Sequence, residues 1–201
     1  HDQLVDIYSD PNAFFMPGRE WVRASRPMER TPEGKHVMTM QQMSHLEAVL
    51  GSHGRSGQQF EAWEAVYGPV GPDGYPAPLW DKSTGKIDPA VATYMRDHGY
   101  DLTAYLRQHW AAIGPLLKGK LHIYVGDMDS YYLNLAVYDL QDFLKHTSIP
   151  HYAGTFEFGR PEMGHGWEPA NQETMVRWMA KEAEQSAANA PSNAKTSAWL
   201  Y

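Results

Sequence analysis

Two acidic side chains and one histidine follow strand-like segments in the second half of the chain. Asp127 and Asp129 follow the apolar run 121–125, and His165 stands between two glycines after a second strand pattern, 155–158. A carboxylate that holds an imidazole in one orientation prepares it to act as a general base. In open sheets of parallel strands, reacting groups lie beyond the carboxyl ends of the strands. The pattern therefore predicts an acid–histidine pair at one edge of a sheet.

The elements that must position this pair alternate between strand and helix. The run 121–125 is apolar throughout, which is typical of a strand covered on both faces of a parallel sheet. A helical stripe then occupies 132–144, a short strand pattern 155–158, and a last helical pattern 171–184. This order predicts parallel β/α units and a chain of the α/β class.

The first part of the chain is dominated by helical patterns. Residues 1–38 carry four prolines and little periodicity, so we expect an irregular surface segment there. Four arginines form a local basic cluster in that segment, which we interpret as a solvated face or a partner contact: Arg19, Arg23, Arg26 and Arg30. Helices are predicted over 39–50, 60–67 and 88–98, and from Asp101 until Gly114-Pro115 interrupts the pattern.

Three regions follow from these patterns. Residues 1–118 form an irregular and helical, cap-like region, and residues 119–185 supply the C-terminal β/α units of a core. Ser, Ala, Asn and Pro dominate residues 186–201, which predicts a loosely packed tail. The chain begins with His1 rather than methionine, which favours a processed product with an upstream portion elsewhere.

The composition of the chain argues against several classes of function. At 201 residues, with 42% hydrophobic and 20% charged residues and a formal charge of −7, the chain is an ordinary globular protein. No basic patch for nucleic acid stands out, and no apolar run approaches the ~20 residues of a membrane span. The absence of cysteine excludes disulfides, thiolate zinc sites and a cysteine nucleophile. We expect no cofactor.

Several phrases together resemble a bacterial esterase group of the α/β-hydrolase superfamily. They are residues 118–122 and 126–134 around the two acids, and Gly164-His165-Gly166-Trp167. Residues 63–69 and 79–81 are also similar to that group, so the resemblance covers nearly the whole chain. It implies a partial α/β-hydrolase-like parallel sheet with flanking helices, preceded by the cap-like region. It also favours an exported bacterial protein, although the residues themselves leave the compartment open.

The resemblance implies roles for individual residues. Asp129, the last position of G-x-x-D, corresponds to the acid of a Ser/Asp/His triad, and His165 corresponds to its base. Asp127 is a neighbour or an alternative acid. The expected function is that of the C-terminal part of a carboxylic-ester hydrolase acting on a small-molecule ester.

The sequence lacks the motif that carries the nucleophile of such a triad. No G-x-S-x-G pentapeptide occurs; the nearest string, residues 54–57, makes Ser56 a candidate, but it lacks a preceding strand and the required glycine spacing. We therefore expect the nucleophile on an upstream hydrolase segment or a partner chain, or else self-association of this one. The alternative is a non-catalytic binding or assembly subunit that keeps the hydrolase scaffold.

Simpler roles compete for the same residues. Asp127 and Asp129 could cap the N-terminus of the following helix, where negative charge is favourable by about 0.3–1 kcal/mol. His146, His151 and His165 with Glu157 or Glu162 carry the donor types of a zinc site, but no i, i+4 pair supports one, so no metal is expected. Met40 and Met43 are expected in a core.

Overall fold

The computed structural model describes residues 10–16, 18, 22 and 24–188. These residues divide into two compact units between Trp167 and Glu168. The first unit contains both small sheets, and the second contains the last helix. The described part of the chain is therefore a mixed α/β protein, as predicted, whereas the division into a cap-like region and a core stays a prediction.

The described residues contain ten helices and strands. In chain order they are β1 (Pro27–Arg30), β2 (His36–Thr39), α1 (Met40–Leu50), α2 (Gln59–Tyr67), α3 (Pro89–Asp97), α4 (Leu102–Leu117), β3 (His122–Gly126), α5 (Leu133–Lys145), β4 (Thr155–Gly159) and α6 (Gln172–Ala188). The alternation of strand and helix predicted from 121 onward is confirmed. Residues 189–201 lie outside the described residues, so the tail stays a prediction.

The expectation of an irregular segment up to residue 38 is wrong for β1 and β2. These strands pair antiparallel around a turn in which Thr31 N–H donates to Lys35 O at 2.8 Å and Gly34 N–H to Thr31 O at 2.9 Å. Each strand has four residues and the register is irregular at Glu29. Strands this short carry too few residues for a period-2 pattern to emerge. Arg19 and Arg23 lie outside the described residues.

The predicted interruption at Gly114-Pro115 is also wrong, since α4 continues through Pro115 to Leu117. The proline removes one backbone donor near the end of the helix, where a single lost hydrogen bond is tolerated. Gly114 is buried against the Trp110 and Pro150 side chains, and a Cβ there would lie 2.8 Å from the indole. Tertiary packing of this turn overrides the local signal.

Side-chain caps begin three helices where the sequence places them. Thr39 accepts from Gln42 N–H at 3.2 Å, and Gln42 accepts in return from Thr39 N–H at 2.9 Å, which completes a capping box. Asp88 accepts from Ala90 N–H at 2.8 Å, and Asp101 from Ala104 N–H. Because of these caps, the sequence predicts the first residues of α1, α3 and α4 closely.

The larger core cluster surrounds Trp80, whose side chain is almost fully buried. Its indole N–H donates to Ser44 Oγ at 3.0 Å and its ring lies edge-on to Phe60. Met40 and Met43 belong to this cluster, as predicted. The whole set of buried residues is Ala13, Phe14, Met28, Met40, Met43, Leu79, Trp80, Ile87, Val91, Ala92 and Met95.

Buried glutamates connect α1 to the start of α2, and α2 to the loop that precedes α3. Glu47 accepts from Phe60 N–H at 2.7 Å, and Glu64 accepts from Leu79 N–H and from Lys82 Nζ, both at 2.8 Å. Burial raises the pKa of both carboxyl groups. The glutamate oxygens accept hydrogen bonds from the backbone N–H groups of Phe60 and Leu79, which would otherwise be unsatisfied.

The second core cluster contains Trp110, Leu144 and Tyr152, and Phe156 of β4 packs against it. The Tyr152 hydroxyl lies 2.9 Å from Leu121 O and 3.2 Å from Thr155 O, so it joins the chain at the start of β3 to the start of β4. Burial raises the pKa of Tyr152 to about 12.

The β3 and β4 strands pair in parallel, as predicted from the β/α rhythm. The register runs from His122 opposite Thr155 to Gly126 opposite Gly159, so both strands end at the same level. The loops that follow them must therefore begin side by side.

Replacement of Ser44 by alanine leaves the Trp80 indole N–H without its buried acceptor. We expect the free energy of unfolding to fall by about 1–3 kcal/mol, the cost of one buried unsatisfied donor. Urea denaturation measures this change. Ser83→Ala, at an exposed turn position, is the matched control and should shift the free energy by less than about 0.5 kcal/mol. Equal shifts for the two variants would contradict the assignment.

Candidate active site

The acid loop, residues 127–132, leaves the carboxyl end of β3 and leads into α5. Within it, Asp129 N–H donates to Gly126 O and Tyr132 N–H to Asp129 O, both at 3.1 Å. These turns direct the Asp129 side chain inward, where it is 3% exposed. Tyr132 takes the left-handed backbone conformation, with φ of 63°, immediately before α5.

The histidine loop, residues 160–166, leaves β4 and folds back over the end of β3. Asp127 N–H donates to Gly159 O at 3.0 Å and Met128 N–H donates to Met163 O at 2.9 Å. A Cβ at Gly126 would lie 2.2 Å from Gly164 O and 2.4 Å from Met163 O. Only glycine permits this approach, which brings His165 beside the acid loop.

The structure brings Asp129 and His165 into direct contact. His165 Nδ1 lies 2.8 Å from Asp129 Oδ2. The carboxylate is buried, whereas the imidazole is 51% exposed. The edge of the His165 ring meets the Tyr131 ring at a centroid distance of 5.0 Å and an interplanar angle of 83°. The second ring nitrogen, Nε2, has no hydrogen-bond partner within the described residues.

A histidine held in this way can act as a general base. A carboxylate that accepts from Nδ1–H fixes the tautomer with Nε2 unprotonated, and it stabilises the imidazolium that forms when Nε2 takes a proton. The imidazole side chain is half exposed, so a reacting group from outside these loops can approach the ring.

The helix-capping role of Asp129 is present in the same side chain. Its Oδ1 accepts from Tyr131 N–H at 2.8 Å and from Leu133 N–H, at the first residue of α5, at 3.1 Å. Its Oδ2 faces His165. The two roles considered from the sequence therefore occupy different oxygens, and the capping bonds hold the carboxylate in the orientation that the histidine requires.

Asp127 belongs to a different network. Its oxygens contact the Tyr138 hydroxyl and the guanidinium of Arg160, which approaches Oδ2 at 3.0 Å and Oδ1 at 3.3 Å. Burial acts to raise the pKa of this carboxyl group, but the hydrogen bonds from Tyr138 and Arg160 and the positive charge of Arg160 outweigh it and lower the pKa. The structure thus pairs His165 with Asp129 and not with Asp127.

Ser56 lies in the loop between α1 and α2. Its N–H donates to Glu61 at 2.7 Å and its hydroxyl accepts from Gln58 N–H at 3.2 Å. These bonds are local to that loop, and the structure shows no hydrogen bond from Ser56 to His165. Ser56 is not joined to the acid–histidine pair.

Three residues that the sequence analysis did not assign to the site support it. Tyr131 contacts the His165 ring, Asn134 donates to Asp127 O at 3.0 Å, and Arg30 donates to Asp129 O at 3.0 Å. Asn134 is buried near the start of α5, where its amide needs hydrogen-bond partners; this burial is a property of the tertiary structure and gives no signal in the sequence. The interpretation of the arginine cluster as a solvated face or a partner contact is wrong for Arg30, because its guanidinium donates to Asp129 O and Asn134 Oδ1 of the same chain. Arg26, from the same cluster, is buried and ion-paired with Asp10.

The described residues contain no group of three or more histidine, aspartate or glutamate side chains placed to hold a metal ion. No helix among residues 40–188 has the length and apolar character needed to cross a membrane. A cavity of about 600 Å³ is lined by the loops around 51–54 and 71–78, with Glu61 and Glu64, and does not include Asp129 or His165.

Comparison of the chain with protein-family models, with curated proteins and with solved structures finds no match. The resemblance to esterases therefore stays a prediction.

Replacement of Gly126 by alanine places a methyl group inside the histidine loop backbone. We expect the free energy of unfolding to fall by about 1–3 kcal/mol from this overlap and the His165–Asp129 hydrogen bond to be lost. The bond is followed by proton NMR of the deshielded imidazole Nδ1–H. Gly74→Ala is the control, because it has a positive φ of 82° but no atom within 4 Å of the added Cβ. The Gly74→Ala variant should lose about 1–2 kcal/mol of stability through backbone strain and keep the imidazole signal. Loss of the signal in both variants, or in neither, would contradict the prediction.

Asp127→Asn tests the second network through pH. Because the pKa of Asp127 is lowered on folding, its ionised form stabilises the folded state above the ordinary aspartate pKa of 3.8, and this contribution is lost as pH falls through the lowered value. Near neutral pH, the free energy of unfolding of the unmodified protein should exceed that of D127N by a constant amount. The difference should shrink below pH 3.8. Urea denaturation from pH 7 to pH 2 measures it, and Asp139→Asn on the exposed face of α5 controls for loss of one charge; a pH-independent difference would contradict the prediction.

Proposed function

We propose that this chain supplies the acid and the base of a Ser/Asp/His triad in an esterase-type hydrolase of the α/β-hydrolase kind. The observation that carries the proposal is the 2.8 Å contact between His165 Nδ1 and Asp129 Oδ2, with the carboxylate buried and the imidazole accessible. The order of the two residues, acid before histidine along the chain, agrees with α/β-hydrolases.

The proposed reaction is hydrolysis of a small-molecule carboxylic ester. His165 Nε2 takes the proton of a serine hydroxyl as its oxygen attacks the ester carbonyl, and then returns that proton to the departing alcohol. Water, activated by the same nitrogen, releases the acid from the acyl-serine. Asp129 holds the imidazole throughout and stabilises its positive form.

The serine is proposed to come from an upstream hydrolase segment, a partner chain or a second copy. The edge of β3 opposite to β4 supports an association of this kind. The register directs the backbone groups of His122 and Tyr124 away from β4, and no described strand pairs with them there. Unpaired strand edges of this kind are sites where another strand adds.

The second candidate is a non-catalytic binding or assembly subunit on the same scaffold. One observation favours it: within the described residues, no serine hydroxyl is hydrogen-bonded to His165. In that case the acid–histidine contact would serve only to hold the histidine loop against the acid loop. The two candidates make different predictions for a serine-reactive label: the rate of labelling depends on His165 in the first and not in the second.

Fluorophosphonate labelling and p-nitrophenyl acetate hydrolysis distinguish the two candidates. The chain is isolated with any polypeptide that associates with it, and the parent is compared with His165→Gln and Asp129→Asn. We expect both variants to lower kcat about 10³–10⁴-fold, because each removes one member of the triad. Labelling of the serine should slow in parallel.

His146→Gln is the matched control, since that histidine is exposed at the end of α5. It should leave hydrolysis and labelling unchanged. If the parent hydrolyses the ester and H165Q does so at the same rate, the triad role is wrong. A parent assembly that neither hydrolyses the ester nor takes the label supports the binding subunit.

A further inference from the structure

Arg30 ends β1 and reaches across to the acid loop, 99 residues further along the chain. Its Nε donates to Asp129 O at 3.0 Å, and its backbone N–H donates to Ser130 O at 2.9 Å. One residue of the hairpin therefore holds two consecutive carbonyl groups of the acid loop.

The same guanidinium extends this hold through Asn134. Arg30 Nη2 donates to Asn134 Oδ1 at 3.0 Å, and Asn134 Nδ2 donates to Asp127 O at 3.0 Å. Asn134 is almost fully buried, so this relay is shielded from competing water. Arg30 thus fixes the acid loop at its beginning as well as at its centre.

The guanidinium also lies over the ring of Tyr132, at 4.3 Å from the ring centroid. Tyr132 is buried and takes the left-handed backbone conformation that turns the chain into α5. For a bulky residue this conformation is costly and persists only where the surroundings hold it. The cation–π contact with Arg30 is part of what holds it.

We propose that Arg30 is the positioning residue of the acid loop: it sets the orientation in which Asp129 meets His165. This inference rests on the proposed acid–base role of that pair. Arg30 contacts neither His165 nor the Asp129 carboxylate, and it acts through the backbone of residues 127–132.

Arginine is required at this position and lysine is not equivalent. A planar guanidinium donates in two fixed directions and presents a flat face to an aromatic ring at the same time. An ammonium group is a point charge that cannot hold Asp129 O, Asn134 Oδ1 and the Tyr132 ring in this geometry. Arg30→Lys therefore keeps the charge and removes the positioning.

Proton NMR of the His165 Nδ1–H tests the proposal without reference to hydrolysis. The parent should show a strongly deshielded imidazole proton, assigned by its absence in His165→Gln. We expect Arg30→Lys to abolish that signal or to broaden it through faster exchange with water, while the far-UV circular dichroism stays that of the parent. An unchanged signal in R30K would overturn the proposal.

Kinetics provide the second measurement where the parent assembly hydrolyses p-nitrophenyl acetate. We expect R30K to lower kcat at least tenfold with KM changed less than twofold, because a displaced base impairs the chemical step more than ester binding. Equal rates in R30K and the parent would overturn the proposal. A parent assembly that neither hydrolyses the ester nor takes the fluorophosphonate label rejects the proposed function, and the NMR result then decides the role of Arg30 alone.

Arg55→Lys is the matched control, since Arg55 also lies over a tyrosine ring, that of Tyr75, but in the loop between α1 and α2. It should change neither the imidazole signal nor kcat. If R30K fails to fold, Asn134→Ala is measured instead, because it breaks the same relay from the other side. Loss of the signal in N134A then supports the proposal, and an unchanged signal overturns it.

Discussion

The close approach of two loops over Gly126 is the constraint on which the candidate site depends. Because β3 and β4 run parallel and end at the same level, the acid loop and the histidine loop begin side by side. The carbonyl oxygens of Met163 and Gly164 then occupy the space where a side chain at 126 would stand. Without that approach the Asp129–His165 contact could not form, however suitable the two residue types are.

Two aspartates separated by one residue illustrate how environment divides similar side chains. Asp127 is held by Tyr138 and Arg160 near the surface, and its pKa is lowered by these partners against the effect of burial. Asp129 is buried, with one oxygen bound by the backbone N–H groups of Tyr131 and Leu133 and the other turned to His165. The first carboxylate joins the ends of β3 and β4, whereas the second holds the histidine loop beside the acid loop.

Polar side chains connect separate elements of the first unit. Arg30 joins the β1–β2 hairpin to the acid loop, Glu47 joins α1 to the start of α2, and Glu64 joins α2 to the loop before α3. Each such group is costly to bury unless it is hydrogen-bonded. A change in the hairpin should therefore affect the acid–histidine pair, although the two are far apart in sequence.

The sequence by itself determined the local features: the capped helices α1, α3 and α4, the strands β3 and β4, and the presence of Asp129 and His165 in the segments that follow these strands. Capping and periodicity act within a few residues, so they can be read without a fold. Tertiary structure alone decided that His165 pairs with Asp129 and not Asp127, that α4 continues through Pro115, and that Arg30 binds the acid loop. These outcomes depend on contacts between residues 36 to about 100 positions apart, which no local pattern encodes.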